Sequence, residues 1–278
     1  MKSFKRITAV LIAVCLMLAA MPVCFASSAT PVPEIKEYGF VDCGDAKIEY
    51  GVYGNLEGEA LLLLPPNGGD MHSLDDSILP EMSKHFKVIT VSPRGTGNSD
   101  WVEGTMNFET FADDVAKVLD YLGVEKTHIF GFSDGGNLGF VFTLKYQSRV
   151  LSLTVMGSNI NTLGTNTFDQ IQITYQYFVL CVEAWLKGDV ETKIRRDIKG
   201  MMVGQPSLTF KDIAQIKVPF FNIYGEHDMI QRWHSKKITK SIEGAKELMV
   251  IGGGHSTCFE QTDTVIIPAL LEFYDIKN

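Results

Sequence analysis

Cysteine is scarce in this chain, with five in 278 residues. Cys15 and Cys24 fall in an apolar N-terminal stretch, which leaves Cys43, Cys181 and Cys258. Three cysteines form at most one bridge, so a disulfide framework is excluded. None has C-x-x-C spacing, and no metal centre is expected. A basic block is missing too. The 25 Lys and Arg are outnumbered by 33 Asp and Glu, for a formal net charge of −8. Nothing there would neutralise phosphates, so nucleic acid is not an expected partner. Low-complexity tracts and repeats of solenoid period are also lacking. What remains is an ordinary globular composition, 45% hydrophobic and 21% charged, in a chain long enough for one large domain or two small ones.

The N-terminus reads as a secretory leader over residues 1–26. Lys2, Lys5 and Arg6 precede an apolar run from Ile7 to Ala20, Pro22 breaks it, and Cys24-Phe25-Ala26 offers a small-x-small cleavage site. Val14 and Val23 stand before the two early cysteines, where a lipoprotein signal wants a small residue. Removing the leader takes away three positive charges and no acidic ones, moving the net charge from −8 to −11. The expected location is therefore secreted or extracytoplasmic. Membrane contact follows only if the segment stays attached, since Ile7 to Ala26 is about long enough to span a bilayer. Residues 27–36 read as a linker containing prolines.

Beyond the linker, strands alternate with helices. Phe40-Val41 and Lys47 to Tyr53 alternate in polarity, as an antiparallel pair at a sheet edge does. Six continuous apolar runs follow, at Ala60 to Leu64, Val88 to Val91, His128 to Phe132, Leu151 to Met156, Phe220 to Tyr224 and Leu248 to Ile251. Such runs are typical of parallel strands buried on both faces. Helical periodicity is clearest over Phe108 to Leu122, with Asn107 as N-cap and Gly123 as stop. Asn137 to Tyr146, Arg232 to Ile242 and Thr264 to Tyr274 also read as helices, Pro268 falling in the first turn of the last or kinking it. This order predicts an α/β protein with a mostly parallel eight-stranded sheet flanked by helices. Residues 159–217 break the rhythm, being far longer than one crossover helix needs. They hold two helical stretches, Phe168 to Trp185 and Val190 to Met202, and read as a helical cap inserted into a core of residues 37–158 and 218–278. The helically spaced Phe168, Tyr175, Tyr177, Phe178 and Trp185 are expected mainly to pack this cap onto the core, with a pocket-lining role for some.

One short stretch carries the chemistry. In HIFGFSDGGNLG, residues 128–139, Ser133 stands between Gly131 and Gly135, where a buried strand gives way to a helix. Small flanking residues there let the backbone take a strained turn that exposes the hydroxyl at a helix N-terminus. A serine needs a base, and the base needs an orienting acid. Of six histidines, His255 follows the last strand through Gly252-Gly253-Gly254, at the same sheet edge as Ser133. His85 and His128 fall at strand starts, the far edge. Glu226 and Asp228, in NIYGEHDMI, follow the preceding strand at the correct edge.

In these pieces the chain resembles the α/β-hydrolase family over roughly residues 38–276: GFSDGG as elbow, SPRGTGNS at 92–99, VPFFNIYGEHD with the acid, and VIGGGHS with the histidine. The resemblance implies a Ser133, Asp228 and His255 triad, the second carboxylate of the acid motif being the usual one. It also implies an oxyanion hole after the third strand. There LLLLPPNGGD departs from the family's His-Gly, and neither Pro65 nor Pro66 has an N–H to give. The donors then fall on the backbone N–H groups of Asn67 and Asp134. A cis peptide at Pro65 or Pro66 is compatible with the diproline. Asp134 is favoured at the helix N-terminus by charge, and facing the pocket it would repel anionic substrates.

These features predict a serine esterase acting on a small to medium apolar ester without cofactor. The alternatives on the same triad are an aminopeptidase or amidase, a C–C bond hydrolase or a haloperoxidase-like enzyme. A non-catalytic ligand-binding protein of the same fold is the reading that the diproline favours.

Overall fold

Four leucines in a row, Leu61 to Leu64, serve both faces of one strand. In the computed structural model, which describes residues 31–276, Leu62 and Leu64 join one buried cluster while Leu61 and Leu63 join another. That alternation is the two-residue period of a strand covered on both sides. The leader expected over residues 1–26 lies outside the described residues.

The sheet has eight strands: β1 (Ile35–Asp42), β2 (Lys47–Gly54), β3 (Ala60–Leu64), β4 (Lys87–Val91), β5 (Thr127–Phe132), β6 (Val150–Met156), β7 (Phe220–His227) and β8 (Lys246–Gly254). Their order is β1-β2-β4-β3-β5-β6-β7-β8. The β1–β2 and β2–β4 pairs are antiparallel and the rest are parallel. All eight expected strands are present. β1 opens at Ile35, two residues inside the expected linker, because Ile35 already pairs with Tyr53.

Helix α1 (Leu79–Met82) and helix α8 (Ile267–Phe273) cover one face, with Ile78, Leu79, Met82, Leu270 and Leu271 against Leu61, Leu63, Val88 and Phe130. The other face carries α2 (Phe108–Tyr121), α3 (Asp134–Lys145) and α7 (Arg232–Ser241), through residues such as Phe111, Val115, Phe140, Phe142 and Ile238. The Asn107 side chain accepts from the Thr110 N–H at 2.8 Å, and Gly123 beyond the helix has φ +65°. Both signals act as expected for α2. Pro268 sits in the first turn of α8, just after a π-helical segment, Thr262–Ile266, that runs directly into it.

Between β6 and β7 the chain forms α4 (Thr167–Lys187), α5 (Val190–Gly204) and α6 (Phe210–Ile213). Asn166 caps α4 and Asp189 caps α5 by accepting from backbone N–H groups, and Gly188 turns between them in the left-handed region. Ile173, Leu180 and Ala184 are the buried residues of α4, and Tyr177 lies over Gly200 of α5. Helix α5 is tied to the core by Trp101 Nε1–H donating to Asp197 (3.1 Å) and Asn67 Nδ2–H donating to the Ile198 carbonyl (2.8 Å). Gln205 joins in, accepting from the Phe108 N–H at 3.2 Å and donating to the Met106 carbonyl at 3.1 Å. The aromatic residues expected to pack this insertion down do not do so, Tyr177 excepted. Phe168, Tyr175, Phe178 and Trp185 all face outward, Trp185 being 81% exposed, because α5 takes only one side of α4.

Candidate active site

The turn from β5 into α3 is tighter than the periodicity suggests. Ser133 has φ 54° and ψ −121°, a region costly for a residue with a Cβ, and α3 begins at the very next residue instead of at Asn137. The glycines make this possible. A Cβ on Gly131 would overlap the Gly135 carbonyl, one on Gly135 the Leu64 carbonyl, and one on Gly136 the Ser158 hydroxyl. Ser133 is then locked from both ends. Its N–H donates to Met156 O (2.8 Å), and its carbonyl accepts from Gly136 N, Asn137 N and Ser158 Oγ at 2.9, 3.1 and 3.0 Å.

Strand β8 runs on through its glycines, Gly254 pairing with His227, and delivers His255 to the same edge. His255 Nε2 lies 2.9 Å from Ser133 Oγ, and Nδ1 lies 2.7 Å from Asp228 Oδ1. A buried carboxylate only accepts, which puts the proton on Nδ1 and leaves Nε2 free to accept from the serine hydroxyl. The Asp228 side chain is 1% exposed, and its Oδ1 also accepts from the Ile230 N–H at 2.9 Å. Gly157, at φ +59°, passes behind both groups: a Cβ there would stand 3.1 Å from the His255 ring and 3.2 Å from Asp228 Oδ2. Phe132 packs at 5.1 Å against the imidazole, and Phe259 meets Phe132 edge-on at 4.7 Å. Of the two candidate carboxylates, Glu226 goes elsewhere. It accepts from the Gly252 N–H and faces Arg232.

The other five histidines lie away from Ser133, His227 being exposed beside Glu226. His72 binds Asp75, His85 faces Glu81, and His128 contacts Ser152. His234 is fully buried behind Gly164 and accepts from the Ile160 N–H, and burial pushes its pKa down to about 4.

Across the turn, Pro65 and Pro66 are both trans, since the cis peptide among the described residues is Gln205–Pro206. Among the described residues the backbone N–H groups of Asn67 and Asp134 have no acceptor. The Asp134 side chain is held by two amides, accepting from Asn67 Nδ2 and Asn137 Nδ2, each at 2.9 Å. Burial pushes its pKa up to about 6, against the opposing pull of those two hydrogen bonds and of the His255 and Lys199 charges. Asp134 thus does both things weighed for it, standing at the helix N-terminus and lining the cavity.

That cavity is narrow, about 10 Å³ or room for roughly one water beside Ser133, and is roofed by the inserted helices, with Asp134, Asn159, Ile173, Met202 and Ile230 among its walls. A second, largely apolar space of about 30 Å³ adjoins it across Asp134, under Pro65, Phe108, Leu138 and Met201. Sequence reasoning missed the side chains of Asn67, Asn137 and Asn159. Asn137 pairs with Asn159 by two 2.9 Å hydrogen bonds and so fixes the Asp134 carboxylate. The available signal was the spacing of Asp134 and Asn137, three apart in the first turn of α3. Among the described residues no group of three or more His, Cys, Asp or Glu is placed to hold a metal ion.

The chain is similar to several known proteins. The human serine hydrolase BPHL is 24% identical over 223 residues, covering 71% of this chain and 73% of that protein. The protein RutD of Azorhizobium caulinodans is 34% identical over 113 residues, 41% of this chain and 42% of its own length. The match therefore spans less than half of RutD. The enol-lactonase of Burkholderia xenovorans superposes with a TM-score of 0.69 at 18% identity, covering 85% of this chain and all of that one. A family model described as the alpha/beta hydrolase fold matches residues 59–199, half of the chain, and with the eight-stranded sheet and its inserted helices this makes the protein a member of the alpha/beta hydrolase fold family.

Proposed function

We propose that this protein is a serine hydrolase that cleaves a small to medium, apolar and uncharged ester through an acyl-enzyme. The observation that carries the reading is the unbroken line from Asp228 through His255 to Ser133, at 2.7 and 2.9 Å. His255 Nε2 takes the hydroxyl proton as Ser133 Oγ adds to the substrate carbonyl. The N–H groups of Asn67 and Asp134 are the donors for the oxyanion that forms. The imidazolium then gives its proton to the departing alkoxide, and the carbon–oxygen bond to the alcohol breaks. Water, deprotonated by the same base, attacks the acyl-enzyme and releases the acid and Ser133.

Ile173, Met202, Met229 and Ile230, lining the narrow space beside Ser133, support an apolar acyl group. The Asp134 carboxylate supports an uncharged one, because a second carboxylate beside it would be repelled. The same carboxylate favours a second reading, in which the substrate carries an ammonium group, as an aminoacyl amide does. Export rests on the N-terminal leader pattern. The test is a panel of neutral esters, carbamates, carboxylate-bearing esters and aminoacyl arylamides, together with a fluorophosphonate probe. Neutral esters are expected to turn over fastest and the probe to label the protein, with Ser133→Ala losing both, kcat falling by about 10⁶. Equal labelling of wild type and Ser133→Ala overturns the proposal.

A further inference from the structure

Helix α4 has two apolar faces, and among the described residues only one of them is packed. Ile173, Leu180 and Ala184 are buried, with Tyr177 over α5. On the opposite side stand Phe168, Ile171, Tyr175, Phe178, Val182 and Trp185, between 40% and 81% exposed. Their spacing is three, four, three, four, three. That is the a/d seam of a heptad repeat, the pattern that fits against another helix. We infer that this seam is the contact between two copies of the chain, packed antiparallel about a two-fold axis that passes between Tyr175 and Phe178.

Three further observations choose a second copy as the occupant. The first is area. Five aromatics (the four of the seam and Trp233) at half to four-fifths exposure, with Leu163, Ile171, Val182 and Leu186, present roughly 1,000 Å² of apolar surface at ~200 Å² per exposed ring. A stable interface takes about 800 Å² from each partner, and a typical monomer's largest patch is about 300–600 Å². The second is self-complementarity. A trough of about 870 Å³ opens beside the first half of α4, lined by Leu163, Ile171, Tyr175, Phe178 and Trp233. Trp185 projects from the other end. At 1.5 Å rise per residue, Phe168 and Trp185 lie ~13 Å on either side of the axis. Antiparallel pairing therefore brings the partner's Trp185 over the trough of the first protomer, and the reverse, as a two-fold contact requires. The third is charge. The chain is −8 overall, yet α4 carries only Asp169, Glu183 and Lys187, and the last two face each other at 3.7 Å. The seam is thus neutral where the rest of the surface repels, and it lacks the Lys and Arg of a helix that lies on an anionic bilayer.

The experiment is sedimentation of the purified full chain from about 1 to about 100 μM, with Trp185→Glu, Phe178→Glu and, as a control on the far edge strand, Phe40→Glu. The expected result is a dimer with Phe40→Glu unchanged and its Kd raised ~30-fold or more by either seam variant. Circular dichroism melts matching wild type would show that the seam variants fold. Orientation is read by mild oxidation: Phe168→Cys with Trp185→Cys in one chain cross-links between copies, and Phe168→Cys alone does not. A monomer at every concentration overturns the inference, as does a dimer indifferent to both seam variants. Capture of the monomer by phosphatidylcholine vesicles through Trp185 would make a bilayer the occupant. Residues 1–30 protected from protease until Trp185→Glu is introduced would make the leader the occupant. Either result also overturns it.

Discussion

Asp134 next to the serine makes a quantitative demand on stability. Its carboxyl is buried and its pKa is pushed up to about 6, against an ordinary 3.8. Between those values the folded protein keeps a proton that the unfolded chain has released. Stability attributable to this group is therefore whole below about pH 4 and is lost as pH rises through the window, with the full penalty above about pH 6 to 7. A gap of about two pH units between the folded and unfolded values corresponds to about 3 kcal/mol at neutral pH. Asp134→Asn removes the charge and with it the slope. The variant also loses one acceptor for the two amides of Asn67 and Asn137, a fixed cost of about 1–3 kcal/mol that does not vary with pH. The informative quantity is hence the difference in unfolding free energy between variant and wild type, followed by urea melts from about pH 4 to about pH 8. It should move in favour of the variant by about 2 kcal/mol across that range, with the remainder falling below about pH 4. In thermal melts the same change amounts to roughly 4–8 °C for a domain of this size. A difference that stays flat within about 0.5 kcal/mol would refute the reasoning, because it would mean that the carboxylate is solvated and not a wall of the closed cavity.

The other expectations concern the triad, the turn and the loop that buttresses it. Asp228→Asn leaves the cavity intact but supplies the wrong hydrogen-bond partner to His255, so kcat on a p-nitrophenyl ester should fall by about 10⁴. Glu226→Gln, outside the line, should change it less than about threefold, and equal losses would place the acid wrongly. Gly135→Ala forces a methyl into the Leu64 carbonyl and should cost several kcal/mol or prevent folding, whereas Gly123→Ala, at φ +65° with open space around it, should cost only about 1 kcal/mol. Urea melts of the two variants compare them directly. Arg94, 3% exposed, binds Asp114 and Asp45 through both edges of its guanidinium. Arg94→Met leaves Asp114 buried and unpaired and should destabilise by about 3–5 kcal/mol in the same assay.

Much of the fold, and the meeting of Ser133, Asp228 and His255 in the candidate site, was legible in the sequence, for definite reasons. Strands buried on both faces must be continuous apolar runs, so Leu61 to Leu64 and Val88 to Val91 could hardly be anything else. Parallel strands put their C-terminal ends at one edge, so Ser133, Asp228 and His255 met because each follows a strand. What no local pattern could supply was the state of Asp134. Its burial depends on Asn67 from the β3 loop and on α5 arriving from residues 190–204, contacts made across about 60 residues or more. The four-residue helices α1 and α6 escaped because a single turn has no period to detect.

The aromatics of α4 went wrong for a more instructive reason. A helix that packs on one neighbour needs one apolar stripe, and Ile173, Tyr177, Leu180 and Ala184 already provide it at spacings of four, three and four. The residues at 168, 171, 175, 178, 182 and 185 form a second stripe on the other side, with a regularity that no contact among the described residues requires. Periodicity detects apolar faces without saying what covers each of them. When a helix carries more such faces than its own fold has neighbours, the surplus face calls for a partner from outside that fold, and in α4 it has the 3.5-residue period that another helix would select.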